Sequence, residues 1–137
     1  MTFQLGQALV NTRAGAIVTA AAGGEIRLYS QAKPASCATA EPGTAIATGT
    51  LPATALANTN GSIAKAGTWT ITGTATAGAG TDAASFRVYA SDGTTCIMQG
   101  EVTNTAGAGP LKMNNVNIAN GQVATVSTYA IDDTDNL

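Results

Sequence analysis

Phe86-Arg87-Val88-Tyr89-Ala90-Ser91, then Asp92-Gly93, then Thr95-Cys96-Ile97-Met98-Gln99-Gly100-Glu101-Val102 is the stretch that decides the fold. Two apolar runs flank an Asp-Gly pair, and glycine accepts a positive φ at little cost, so the pair predicts a tight hairpin turn between two strands. In the first strand Phe86 and Val88 share one face and Arg87 and Tyr89 the other, the period of a half-buried strand. The same order of apolar, Arg, apolar, Tyr stands upstream in Ile26-Arg27-Leu28-Tyr29-Ser30. Arg27, Tyr29, Arg87 and Tyr89 are read first as solvated polar faces. The second reading makes them part of a binding surface, because Arg and Tyr are enriched at interface hot spots.

Working outward, Thr68-Trp69-Thr70-Ile71-Thr72-Gly73-Thr74 alternates strictly, with Trp69 and Ile71 on the expected core face and threonines facing water or a partner. Thr44 to Leu51 is a weaker strand closed by Pro52, and it follows a loop from Ala32 to Gly43 that holds Pro34 and Pro42. Asn60-Gly61 lies in a loop. Leu111 to Met113 and Val116 to Ile118 are short strands, and after the turn Asn120-Gly121 a last strand runs from Gln122 to Ile131. About seven or eight short strands delimited by turns predict a mainly β chain, an antiparallel β-sandwich of jelly-roll type.

The N-terminal part differs. Leu5, Ala8, Leu9, Ala16, Ile17 and Ala20 approximate helical spacing, and Gly23-Gly24 ends the segment, so a short helix is read there with an extended arm as its alternative. The expected organisation is an arm or helix over 1–23, a sandwich over 24–131 and an acidic tail over 132–137.

With 137 residues the chain fits one domain. Leu, Ile, Val and Phe number 24, while Ala, Thr and Gly make up nearly half the chain. At about 25 cal/mol per Å² such small side chains contribute little each, so the expectation is a folded, lightly packed domain that gains stability from assembly. The low charge, −2 net with 10% charged residues, argues against disorder and also against a nucleic-acid partner, since no basic stripe exists.

No catalytic constellation appears. Histidine is absent, which removes the commonest general base and metal ligand; the lysines Lys33, Lys65 and Lys112 have no Ser-x-x-Lys spacing; and the acids are scattered. The reading is therefore no enzyme, no cofactor and no metal. Gly78-Ala79-Gly80 and Gly107-Ala108-Gly109 resemble fragments of phosphate loops without the full spacing, and are read as flexible loops. Asp132, Asp133 and Asp135 are read as a solvated tail, with a latch onto a basic partner as the alternative. No run of apolar residues approaches a membrane span, and no secretion signal is read at the N-terminus. Cys37 and Cys96 have no neighbouring cysteine, and compartment rules favour free buried thiols over a single bridge.

The residues Ile26-Arg27-Leu28-Tyr29-Ser30, Lys33-Pro34-Ala35, Thr48-Gly49-Thr50-Leu51, Phe86 to Thr94, Gln99-Gly100-Glu101-Val102 and Asn120-Gly121-Gln122-Val123 together resemble the small cement, or decoration, proteins of tailed-phage heads. The resemblance runs from about Gly24 to Ile131 over strand-and-turn motifs. It implies a jelly roll on the outer capsid surface that clamps neighbouring major capsid subunits, with the host cytoplasm as the place of assembly. Thr2, Phe3, Gln4 and Leu5 in an arm from Met1 to Asn11, the tail aspartates and an exposed strand edge are then the expected contacts. A twofold dimer is the expected oligomer and a trimer its rival. The reading from a different class is a virion adhesin or carbohydrate-binding sandwich, which needs exposed aromatics in a chain that is 4% aromatic.

Overall fold

The computed structural model describes residues 4–132. In chain order its elements are α1 (Gln7–Ala21), β1 (Glu25–Tyr29), β2 (Ala47–Thr50), β3 (Leu56–Thr59), β4 (Ser62–Lys65), β5 (Thr70–Gly73), β6 (Thr81–Asp82), β7 (Ser85–Tyr89), β8 (Cys96–Asn104), β9 (Leu111–Met113), β10 (Asn117–Ile118), β11 (Val123–Thr125) and β12 (Thr128–Asp132). The class is mainly β with an N-terminal helix, as the alternation implies. A single ten-stranded sheet, in the order β11-β5-β2-β1-β7-β8-β9-β12-β4-β3, curls over one core, and β10 pairs with β6 apart from it.

The curl is made at β8. Its first part pairs with β7 as far as Ser85 opposite Glu101, and its end, Val102 to Asn104, runs beside β9. That last pairing is parallel, which departs from the all-antiparallel expectation. Parallel neighbours ordinarily need a long crossover. Here only three residues pair, and the loop 105–110 doubles back tightly over Thr103. A β-carbon at Gly107 would lie 2.5 Å from Thr103 Cβ, and one at Gly109 would lie 2.8 Å from its Cγ2, so this pair of glycines serves a close backbone return.

Three aromatic rings hold the curl closed. Trp69, just before β5, and Phe86 of β7 both pack on Tyr129 of β12, with centroids 5.4 and 5.5 Å apart. Trp69 is fully buried and its indole N–H donates to the Ala55 carbonyl at 2.9 Å, so its one polar group is satisfied. Around the rings lie Ile26, Leu28, Ile46, Leu56, Ile63, Ile71, Leu111, Met113 and Ile118. The scarce large apolar residues are concentrated there; among those described, Leu9 and Val123 stand out as exposed.

Four sequence readings are corrected. The segment from Gln122 to Ile131 is two strands, because Val126 N–H donates to Trp69 while the adjacent Ser127 N–H donates to Lys112, sending consecutive residues to opposite parts of the sheet. Asn60-Gly61 is the tightest hairpin turn, between β3 and β4, with φ of 54° and 93°, as a two-residue turn with both φ positive requires. Asp92-Gly93 instead sits within a wider loop closed by Ala90 N–H to Thr95 O at 2.9 Å. The helix forms, but it buries Val10, Ala14 and Ala21, not Leu9, Ala16 and Ala20, because an Ala-rich segment offers little contrast between its faces.

Gln7 to Asn11 accordingly belongs to a docked helix and not to a reaching arm. Its carbonyl at Asn11 accepts from the Asn58 amide of β3 at 3.4 Å, and Val10 packs where a side chain at Gly61 would stand. The helix therefore lies against the terminal strand β3 and its turn.

Candidate functional site: a loop stapled across the polar face

Strand register places the two sequence echoes side by side. Arg27 lies opposite Arg87 and Glu25 opposite Tyr89, and Arg87 in turn lies opposite Gln99 of β8. Two arginines directly across from one another repel unless something compensates them. The compensation comes from the loop 31–43, which crosses this face.

Arg87 is only 3% exposed. Its Nη2 donates to the carbonyls of Ser36 at 3.1 Å, Thr39 at 2.8 Å and Ala40 at 3.4 Å, and its Nε donates to Gln99 Oε1 at 3.1 Å. The Gln99 amide donates onward to Pro34 O at 2.6 Å, and the Ser85 hydroxyl to Gln31 O at 2.7 Å. Five loop carbonyls thus find sheet side chains, which is why a loop without regular structure can lie flat there. The planar five-donor fork of arginine suits this task better than an ammonium would.

At the far end of the loop Glu41 receives the Tyr89 hydroxyl at 2.8 Å and Nη1 of Arg27 on the same carboxylate oxygen. Arg27 also donates from Nε to Glu25 at 2.7 Å and from Nη2 to Gly93 O at 2.8 Å, and its guanidinium stacks 4.3 Å from the Tyr89 ring centroid. The hydrogen bond to Glu25 leads the causes that raise the Arg27 pKa against its partial burial. Burial alone would push the Glu41 carboxyl up, but the Tyr89 hydroxyl and the Arg27 charge outweigh it and hold the group below its usual value. Burial, then the neighbouring Tyr89 hydroxyl, raises Tyr29. At the hairpin loop Asp92 is held down to about 2 by the Thr95 hydroxyl and the N–H groups of Thr95 and Thr94.

A disulfide joins Cys37 in the loop to Cys96 at the start of β8, with Cα atoms 5.5 Å apart. This overturns the expectation of free thiols. Compartment statistics carry no information about geometry, and the Arg87 and Gln99 contacts bring the two cysteines within bridging distance.

The four strand residues singled out from sequence do come together, yet neither as solvated faces nor as an open surface. Tyr29, Arg87 and Tyr89 are buried beneath the loop and Arg27 is 22% exposed at its edge. Gln4 and Leu5 precede α1, exposed and half-buried respectively. The Asp132 backbone pairs with Ser62 in β12, while Thr2, Phe3, Asp133 and Asp135 lie outside the described residues. Sequence reasoning missed Ser85, Glu41, Gln99 and the bridge. The signal for them was a Pro-punctuated loop holding one of two cysteines, between strands whose Arg and Tyr share a face.

What remains outward is the loop's own surface: Lys33, Ala35, Ser36, Ala38, Thr39 and Ala40 are exposed on a backbone pinned from below. Because the Arg87 donors end on neutral carbonyls, the cluster fixes shape and offers no open anion site. Among the described residues no three His, Cys, Asp or Glu side chains gather as a metal site, and no helix is long and apolar enough to cross a membrane. Neither the protein-family models, nor the curated proteins, nor the solved structures contain a match to this chain, so the likeness to phage cement proteins rests on the sequence motifs alone.

Proposed function

We propose that this chain is a structural virion protein that binds the outer surface of a phage capsid and cements neighbouring major capsid subunits non-covalently, with the stapled loop 31–43 as a contact surface. The observation that carries the reading is the use made of the polar side chains. Arg27, Arg87, Gln99, Glu41 and Tyr89 hold a surface loop rigid, an investment in shape suited to docking on a repeated protein surface. The Cys37–Cys96 bridge supports it, since a virion surface is one place where disulfides persist; the bridge would close after particles assembled in the reducing host cytoplasm are released.

The carbohydrate-binding alternative is less well supported. Trp69, Phe86, Tyr29, Tyr89 and Tyr129 are all buried, leaving none of them to stack on a sugar. Quantitative mass spectrometry of purified particles tests the proposal. A copy number near that of the major capsid protein is expected, a handful of copies would shift the reading to a tail or adhesin role, and absence from the particle would overturn it. Lys33→Glu with Ala38→Glu on the loop's outer face should abolish capsid binding while leaving thermal stability unchanged.

A further inference from the structure

We propose that the Cys37–Cys96 bridge is a redox-sensitive latch on a loop that docks without it, with Arg87 and Gln99 as the residues that position the two thiols for closure. None of the hydrogen bonds described above for the loop 31–43 uses a cysteine atom. Arg87 reaches the carbonyls of Ser36, Thr39 and Ala40, Gln99 that of Pro34, and Ser85 that of Gln31. These contacts bracket Cys37 on both sides and do not depend on the state of its sulfur. Cys96 is placed independently of them. It lies opposite Tyr89 where the register between β7 and β8 shifts, and the turn before it is closed by Ala90 N–H to Thr95 O and by Asp92, which accepts from the Thr94 and Thr95 amides at 2.8 Å.

Position and access separate this bridge from one that builds a core. No residue of 31–43 belongs to the buried apolar cluster, so the sheet closes over its interior whether or not the sulfurs are joined. Both cysteines are half-buried, and Ala35, Ser36 and Ala38 beside one and Thr94 and Thr95 beside the other are exposed. Bridges that a thiol can reach are the labile class. Docking and closure are coupled reciprocally. Contacts that hold Cys37 over Cys96 raise the effective concentration of one thiol at the other, and the closed bridge in turn favours docking by the same factor.

The co-reactant is a low-molecular-weight disulfide, with glutathione disulfide as the probe. One cysteine thiolate attacks it, releasing a glutathione thiolate and forming a mixed disulfide. The second cysteine thiolate then attacks the protein sulfur of that bond and expels the other glutathione. Two cysteine thiols are oxidised, one glutathione disulfide is reduced to two thiols, and the two protons pass from the cysteines to the departing thiolates. The loop presents the same outer surface before and after, and what changes is how long it stays closed. The latch does not rest on the capsid reading, and either can fail alone.

The test equilibrates the full chain with reduced and oxidised glutathione in varied ratio, counts bridged molecules by mass after alkylation, and reads the loop by its backbone chemical shifts. In the fully reduced wild type the shifts of 31–43 are expected to stay close to their oxidised values. The bridge is expected to close at an effective thiol concentration at least about tenfold above the millimolar value of a flexible tether. Arg87→Met combined with Gln99→Leu is expected to give random-coil shifts over 31–43 once reduced and to lower that concentration by about tenfold or more. Gln99→Leu alone should fall between, Thr72→Ser should match the wild type, and Trp69 fluorescence reports that the sheet is intact. A reduced wild type whose loop is already random coil, or one that closes no better than a flexible tether, would overturn the proposal. So would an unchanged closure equilibrium in a folded chain carrying both substitutions.

Discussion

One row of residues crosses six strands, Val123, Thr72, Thr48, Arg27, Arg87 and Gln99, each opposite the next, and its two halves have different fates. On β11, β5 and β2 the row is short and neutral, and Thr70 and Thr72 face water. On β1, β7 and β8 it consists of long hydrogen-bonding side chains, and the chain's own loop lies on top. A threonine hydroxyl can complete its hydrogen bonds with water where it stands, whereas a buried guanidinium requires several fixed acceptors. The comparison teaches that a polar strand face is a demand for partners, and that side-chain length decides whether the protein itself supplies them.

The widest gap between the halves should open when the staple is cut. The bridge closes a 59-residue separation, for which loop-closure entropy gives about 4 kcal/mol. Cys37→Ser with Cys96→Ser, or reduction of the wild type, should lower thermal stability by up to that amount. Hydrogen exchange should accelerate at the amides of 31–43 before it does in β5 or β11. Arg87→Met comes next. It keeps the apolar stem and leaves Gln99 Oε1 and the carbonyls of Ser36 and Thr39 without their donor, at about 2–3 kcal/mol by denaturant unfolding.

Acid sharpens the comparison more gently. The Glu41 carboxyl is depressed on folding, so its stabilisation is complete above its unfolded value, near 4.3, and is lost as pH falls through the lower folded value. Exchange in 36–41 should rise across that window, and Glu41→Gln should flatten the response at a cost under about 1 kcal/mol. The hairpin loop should survive to lower pH, because Asp92 titrates at about 2. Smallest of all, Thr72→Ser and Thr70→Ser on the open half should change stability by no more than about 0.5 kcal/mol in the same unfolding experiment.

Much of the fold was legible because alternation is a local property. Ile26 and Leu28, Trp69 and Ile71, and Phe86 and Val88 all take the buried positions that their period assigns. The break at Val126–Ser127 was not legible, since an uninterrupted apolar-polar run reads as one strand whether or not its halves pair with the same neighbour. Nor was the pairing of β8 with β9, which depends on glycines packing over Thr103. At the site, the types and common face of Arg27, Tyr29, Arg87 and Tyr89 were visible, but the loop covering them is held by its backbone carbonyls, and carbonyls leave no mark in a sequence. The alanines of α1 likewise gave a helix without saying which side would dock.

The helix against β3 bears on how the curled sheet is finished at that end. Asn58 shares a strand face with buried Leu56, and from that face its amide reaches the Asn11 carbonyl, while Ala14 and Ala21 enter the core. A curled sheet leaves the inner face of its last strands wet unless something lies across it, and a helix rich in alanine can approach closely enough to do so. Fifteen residues of helix thus act as a stopper for the core, turning what would be an open margin into packed interior.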